Sequence, residues 1–299
     1  MEAATSITQK IPSPRRCLPS ERLDGEPKTG TSGHTMTGMA ARKFESSGRT
    51  AMTKPRRTKK SGYQPPSAPR EVMLSEALRG TGRFPETKQP DLLKLGTEDD
   101  GRADTSLFYA GDLSLLQRPC VAIVGTRNVS EAGARRTRRL ARELAEAGVV
   151  VVSGLAKGVD AIAHTTAIES GGRTIGVIGT PLDKAYPAEN AQLQETIYRD
   201  HLLVSQFAPG TRTFRASFPQ RNKLMATLTD ATVVMEASDT SGTLHQAAEC
   251  ARLERWLFIA KSVADDPSLE WPKTFLKYDT CVPLIDASDI TSRILKSCH

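Results

Sequence analysis

Two rhythms of apolar and polar positions alternate along this chain. Short runs of mainly β-branched or aliphatic residues recur: VAIVG (121–125), VVVVS (149–153), TIGVIG (174–179), LLVSQF (202–207), ATVVMEA (231–237), WLFIA (256–260) and CVPLI (281–285). Runs of this length and type fit strands covered on both faces. Between them lie stretches with helical spacing near 131–147, 158–170, 189–200, 220–229, 241–254 and 287–296. The 131–147 stretch shows the rule: Leu140, Ala141, Leu144 and Ala145 make one apolar stripe, with Arg135, Arg136, Arg138, Arg139 and Arg142 around the rest. Those arginines read as a solvated outer face, and Ser130 reads as the N-cap. Strand–helix alternation of this kind predicts an α/β fold: a doubly wound, mostly parallel sheet with helices on both faces.

The front of the chain has a different texture. Residues 1–70 hold 14 Lys and Arg against 5 Asp and Glu, and few Leu, Ile, Val or aromatic residues. The formal net charge of +7 therefore resides in this segment. Such a composition buries too little apolar surface to offset its ordering entropy, so residues 1–70 are expected to be a disordered basic tail. Its run KPRRTKKSG (54–62) reads either as a non-specific nucleic-acid arm or as a solvated tail. Residues 71–106 read as a linker in which EVMLSEALR forms a short helix, and order is expected from Leu107 to the end, 107–299. No stretch has the apolar length of a membrane span. The five cysteines (17, 120, 250, 281 and 298) show no close pair, which fits a reducing cytosol and predicts neither a disulfide framework nor a zinc site.

Three strand–helix junctions carry glycine turns: VAIVGTRNVS, VVVVSGLAKGVDAIAH and VVMEASDTSGTLHQAA. A glycine turn at a strand's carboxyl end exposes backbone N–H groups at the next helix start, where phosphate is attracted. The first turn lacks the G-x-G-x-x-G spacing of a dinucleotide site. Arg127 stands there instead, with a guanidinium suited to a phosphate. In the second turn Ser153, Gly154 and Lys157 follow, and Asp160 and His164 share a helix face. That pair reads either as a metal or catalytic pair or as a helix-start acid with a histidine locking the turn. Further on, Arg221, Asn222 and Lys223 open a helix against its dipole, which suggests a facing anion. Phe214, Phe218 and Tyr186 are candidates for base stacking or for core packing. No G-x-S-x-G elbow, Walker lysine or H-E-x-x-H occurs, so a binding protein rather than an enzyme is expected, with no cofactor.

Taken in order, VAIVGTR, SGLAKGVDAIAH, GGRTIGVIGTPLDKAYPAEN and FPQRNKLMATLTDATVVMEASDTSGTLHQAAECARLERWLFI resemble the DprA/Smf family of DNA-processing proteins, from about Leu107 to Ile285. The resemblance implies an extended Rossmann-like domain that binds single-stranded DNA, forms homodimers and loads the RecA recombinase in natural transformation. Its binding residues would be Gly125, Thr126, Arg127, Ser153, Gly154, Lys157, Arg221, Asn222, Lys223, Ser241 and Gly242. The chain departs from the family pattern at Thr126, at His245 and Gln246, at Glu254-Arg255 and at Lys261-Ser262. The competing class is a nucleotide sensor or a phosphoribohydrolase on a related fold. Hydrolysis of an N-glycosidic bond would need a carboxylate just after Gly242-Thr243, where Leu244, His245 and Gln246 stand instead.

Overall fold

In the computed structural model, the described residues are 62–84 and 104–295. The basic run at 54–61 lies outside them. Each predicted apolar run forms a strand: β3 (Cys120–Val124), β4 (Val150–Ser153), β5 (Thr174–Ile178), β6 (Leu202–Ser205), β7 (Ala231–Val234), β8 (Trp256–Ala260) and β9 (Cys281–Leu284). Strands β3 to β7 are buried along their whole length, as their unbroken apolar sequence requires.

Two strands were not expected. β1 (Arg70–Met73) pairs antiparallel with β2 (Ser106–Gly111), and β2 pairs antiparallel with β6. The sheet of the described residues runs β1-β2-β6-β5-β4-β3-β7-β8-β9, with all other pairings parallel. EVMLSEALR is thus divided at Met73, with β1 before it and a short helix, α1 (Leu74–Ala77), after it. The linker reading of 71–106 fails at 71–84, and the tail reading fails at 62–70. Tyr63 donates its hydroxyl to Leu182 O (2.8 Å), and Val72 is in register with Leu107. Ordering of this segment comes from partners far along the chain, so local composition was a poor guide.

Six helices follow the predicted stretches: α2 (Glu131–Glu146), α3 (Val159–Glu169), α4 (Ala191–Asp200), α5 (Ser217–Thr227), α6 (Leu244–Arg252) and α9 (Ala287–Ile294); the short α7 (Lys261–Ala264) and α8 (Trp271–Phe275), between β8 and β9, were not expected. Ser130 caps α2, its hydroxyl accepting from Gly133 N–H at 3.0 Å. From β3 the chain steps through β4 and β5 to β6, then returns to β7 on the far side of β3 and continues outward to β9. Right-handed crossovers in opposite directions place their helices on opposite faces. Accordingly α2 packs along α3, and α5 along α6. The carboxyl ends of β3, β4 and β5 lie side by side on one rim, and the glycine turns leave from that rim.

Candidate nucleic-acid interface

The second turn is tied down by its own helix. Asp160 accepts from the N–H groups of Gly154 (3.2 Å) and Ala156 (3.3 Å). Burial pushes its carboxyl above the ordinary range, against the opposing pull of the Arg221 charge and these amides. His164 Nδ1 lies 2.7 Å from Thr174 Oγ1, whose hydrogen goes to Val151 O, so the imidazole donates there. Asp160 thus holds the turn's amides, while His164 reaches Thr174 and through it joins β5 to β4. No cluster of metal-ligating side chains occurs among the described residues.

The first turn is satisfied internally as well. Thr126 N–H donates to Glu236 O (2.7 Å), while Ser130 donates its N–H (3.1 Å) and hydroxyl (2.8 Å) to the Glu236 carboxylate. This carboxylate fills the crevice between β3 and β7, where the chain's path reverses and doubly wound folds often take an anion. A Cβ on Gly125 would lie 2.7 Å from Val159 Cγ2, so this glycine serves close packing between the first two turns. Two of the expected amides, those of Thr126 and Gly154, are therefore already taken: Gly125, Thr126 and Gly154 shape the rim, and the cations beside them are side chains.

Those side chains do gather. Arg127, Lys157 and Arg221 line one pocket, open to solvent, with Gly154, Ala156, Gly179, Tyr186, Pro187 and Phe218. Arg127 is exposed and makes no hydrogen bond or ion pair among the described residues. Lys157 pairs with Glu189 at 2.5 Å, both side chains about half exposed. Tyr186 and Phe218 stand 5.3 Å apart between ring centroids, tilted by 47°, and Tyr186 is 51% exposed. Two of the three stacking candidates thus belong to the pocket.

Arg221 has a role that its sequence position does not suggest. It is buried, donating through Nη1 to Gly154 O and to Val177 O (2.9 Å), and through Nε to Asn222 Oδ1 (2.9 Å). It joins the ends of β4 and β5 and forms the pocket floor, and burial lowers its pKa. Ser153 is also buried, its hydroxyl given to Ile123 O (2.7 Å). Asn222 Nδ2 donates to Gly242 O (3.1 Å), which braces the third turn against α5. Lys223, Ser241 and Gly242 do not line the pocket. Gly179, Pro187 and Glu189 were missed as site residues. They lie in IGTPLDKAYPAEN, which joins the strand run ending at Gly179 to the helical stretch from Glu189 and carries no phosphate-binding signal until the fold brings it to this rim.

Fold and pocket together define a Rossmann-like α/β protein whose cationic and aromatic side chains converge at the carboxyl ends of parallel strands. The chain belongs to the DNA recombination-mediator protein A family, whose profile matches residues 85–294. It is 46% identical over 142 residues to the DNA processing protein DprA of Streptococcus pneumoniae, covering 48% of this chain and 50% of that one. With the DprA of Bacillus subtilis it shares 36% identity over 162 residues, 54% of each chain. The chain spans about half the length of the curated relatives it matches. The crystal structure of S. pneumoniae DprA superposes with a TM-score of 0.59 at 33% identity, covering 74% of this chain and 76% of that one. The DprA structure of Helicobacter pylori, described for its single-stranded DNA binding mode, gives 0.58 at 29% identity, covering 71% of this chain and 95% of that one.

Proposed function

We propose that this protein binds single-stranded DNA in the pocket at the carboxyl ends of β3, β4 and β5. The observation that carries the reading is the meeting of Arg127 and Lys157 with the Tyr186–Phe218 pair in one open pocket. Cations along a backbone path and rings for unstacked bases are the two elements of sequence-tolerant strand binding. Duplex DNA is a poorer ligand, because its bases are already stacked on one another. Gly125, Thr126 and Gly154 shape this site, Arg221 floors it, and Arg127 and Lys157 contact phosphate. Membership of a recombination-mediator family supports a wider role: the bound strand is protected and passed to a RecA-type recombinase, as in natural transformation, by a homodimer in the cytoplasm acting without catalysis or cofactor.

Fluorescence anisotropy with oligo-dT at several salt concentrations tests the binding step. The parent is expected to bind with an affinity that falls steeply with salt. Arg127→Ala and Lys157→Ala should each weaken binding and lower the salt slope by about 0.7, the value of one single-strand phosphate contact. Variants that titrate like the parent would remove the pocket from the strand path. Saturable binding of adenine nucleotides with no affinity for any strand would replace DNA with a small ligand.

A further inference from the structure

The loop before α5 carries a second aromatic that the pocket does not use. Phe214 is 60% exposed, and the Arg212 guanidinium lies over its ring, 5.6 Å from the centroid. A large ring left in water costs free energy that burial would recover. Its backbone is nevertheless held in place. Phe214 N–H donates to Ser217 Oγ (3.2 Å), and Ser217 N–H donates back to Phe214 O (3.1 Å). Lys184 Nζ donates to Thr211 O (2.7 Å), and Gly210 N–H donates to Asp183 Oδ2 (3.2 Å). The loop is thus fastened to the loop that carries Tyr186, and its other end runs straight into the helix that carries Phe218. Neither Arg212 nor Arg215 finds an acceptor among the described residues.

We infer that Phe214, with Arg212 behind it and Arg215 beside it, is a second stacking platform that receives a base of the strand after it leaves the pocket. The inference rests on the strand-binding reading of that pocket and extends it. A fixed ring presents a face at small entropic cost, because its backbone is already ordered. The arginine contributes twice: its charge attracts the phosphate beside the stacked base, and its plane supports the ring from one side. Opposite charge selects the occupant here. A nucleic-acid strand supplies phosphate for two unpaired guanidinium groups, whereas a second copy of the chain meeting this patch face to face would set like charges together.

The experiment compares oligo-dT of about 4 and about 16 nucleotides, the lower and upper site sizes for small single-strand binding domains. Full-length parent, Phe214→Ala, Phe214→Trp, Arg212→Gln and the pocket variant Arg127→Ala are titrated by anisotropy, with thermal melts to confirm folding. Phe214→Ala is expected to weaken the long strand about tenfold, one stacked base's worth, and to leave the short strand unchanged. Phe214→Trp should restore the long strand, and Arg212→Gln should weaken it and flatten its salt slope. Arg127→Ala should weaken both lengths. Unchanged long-strand affinity in Phe214→Ala overturns the platform and leaves the pocket reading standing. Equal loss on both lengths also overturns it, since the ring then belongs to the pocket. A fall in oligomeric mass by light scattering with no change in strand affinity assigns the ring to a contact between copies. A parent that binds neither length overturns the pocket reading, and this inference with it.

Discussion

Arg221 shows how little room single residues have at this rim. Its guanidinium fills the space beside Gly154 so closely that a Cβ there would lie 2.1 Å from Nη1. The guanidinium is buried and bonded to two carbonyls, so it has no easy retreat. Gly154→Ala should therefore destabilise the fold by about 1–3 kcal/mol in urea unfolding, the range for overpacking. Gly242 is the contrasting case, because nothing lies within 4 Å of an added Cβ. Gly242→Ala should leave stability within about 0.5 kcal/mol of the parent and strand affinity unchanged. At the pocket mouth Glu189 competes with phosphate for Lys157. Both groups are half exposed and solvent screens them, so the effect is small: Glu189→Gln should raise oligo-dT affinity at low salt about twofold. A drop in affinity would mean that Glu189 orients Lys157 toward the strand instead of competing for it.

At the scale of elements, helix α3 couples the stability of the fold to pH. Its first turn holds Asp160 under the second glycine turn, and its second turn buries His164 against β5. Burial drives the His164 pKa from its ordinary 6.5 to about 3, against the opposing pull of the Ser153 backbone and with the nearby His201 and Arg221 charges acting in the same direction as burial. The sign follows from proton counting. Between about pH 6.5 and pH 3 the unfolded chain binds a proton that the folded chain refuses, so stability falls as pH falls. Above about pH 6.5 both states are neutral there, and the contribution is complete. The slope from this one group should approach about 1.4 kcal/mol per pH unit. His164→Gln should flatten the acid limb of a stability–pH curve measured by denaturant titration. A curve of unchanged slope would place the titration elsewhere. The helix also explains why Asp160 and His164 attract attention as a pair in sequence: they are one turn apart and on one face, yet Asp160 takes the amides of Gly154 and Ala156 while His164 reaches Thr174.

For the whole molecule, the segment before β2 is part of the domain because Arg83 anchors it. Arg83 is 4% exposed. It donates to both Asp230 oxygens (2.7 and 2.8 Å) and to the carbonyls of Leu116 (2.7 Å), Leu228 (3.2 Å) and Arg118. Asp230 also accepts from Cys120 N–H at 2.7 Å, so the bidentate pair secures the amino end of β3. Removing Arg83 leaves the partly buried Asp230 carboxylate without its partner and three carbonyls without their donor. Arg83→Ala should cost about 3–5 kcal/mol and lower the melting temperature by several degrees. A chain starting at residue 62 should melt close to the full-length protein, whereas a 107–299 fragment should be strongly destabilised. Equal melting of the two fragments would show that the β1 segment adds nothing.

The parallel strands were readable because each is an unbroken apolar run, and burial on both faces demands such a run wherever it occurs. β1 was not readable, since REVM is mostly exposed and owes its form to hydrogen bonds with β2, more than thirty positions on. The site divides the same way. Arg127 and Lys157 could be picked out from their own turns, because a side chain beside a strand-end glycine stays at the rim in any doubly wound fold. The direction of Arg221 could not, since a long guanidinium goes wherever carbonyls are unpaired, and those of Gly154 and Val177 come from two other strands. Local sequence thus determined which segments enter the sheet and which cations can stand at its edge. Only tertiary packing decided which amides were already taken, by Asp160 and Glu236, and which aromatics reached the rim, because those outcomes depend on groups that meet across the sheet and not along the chain.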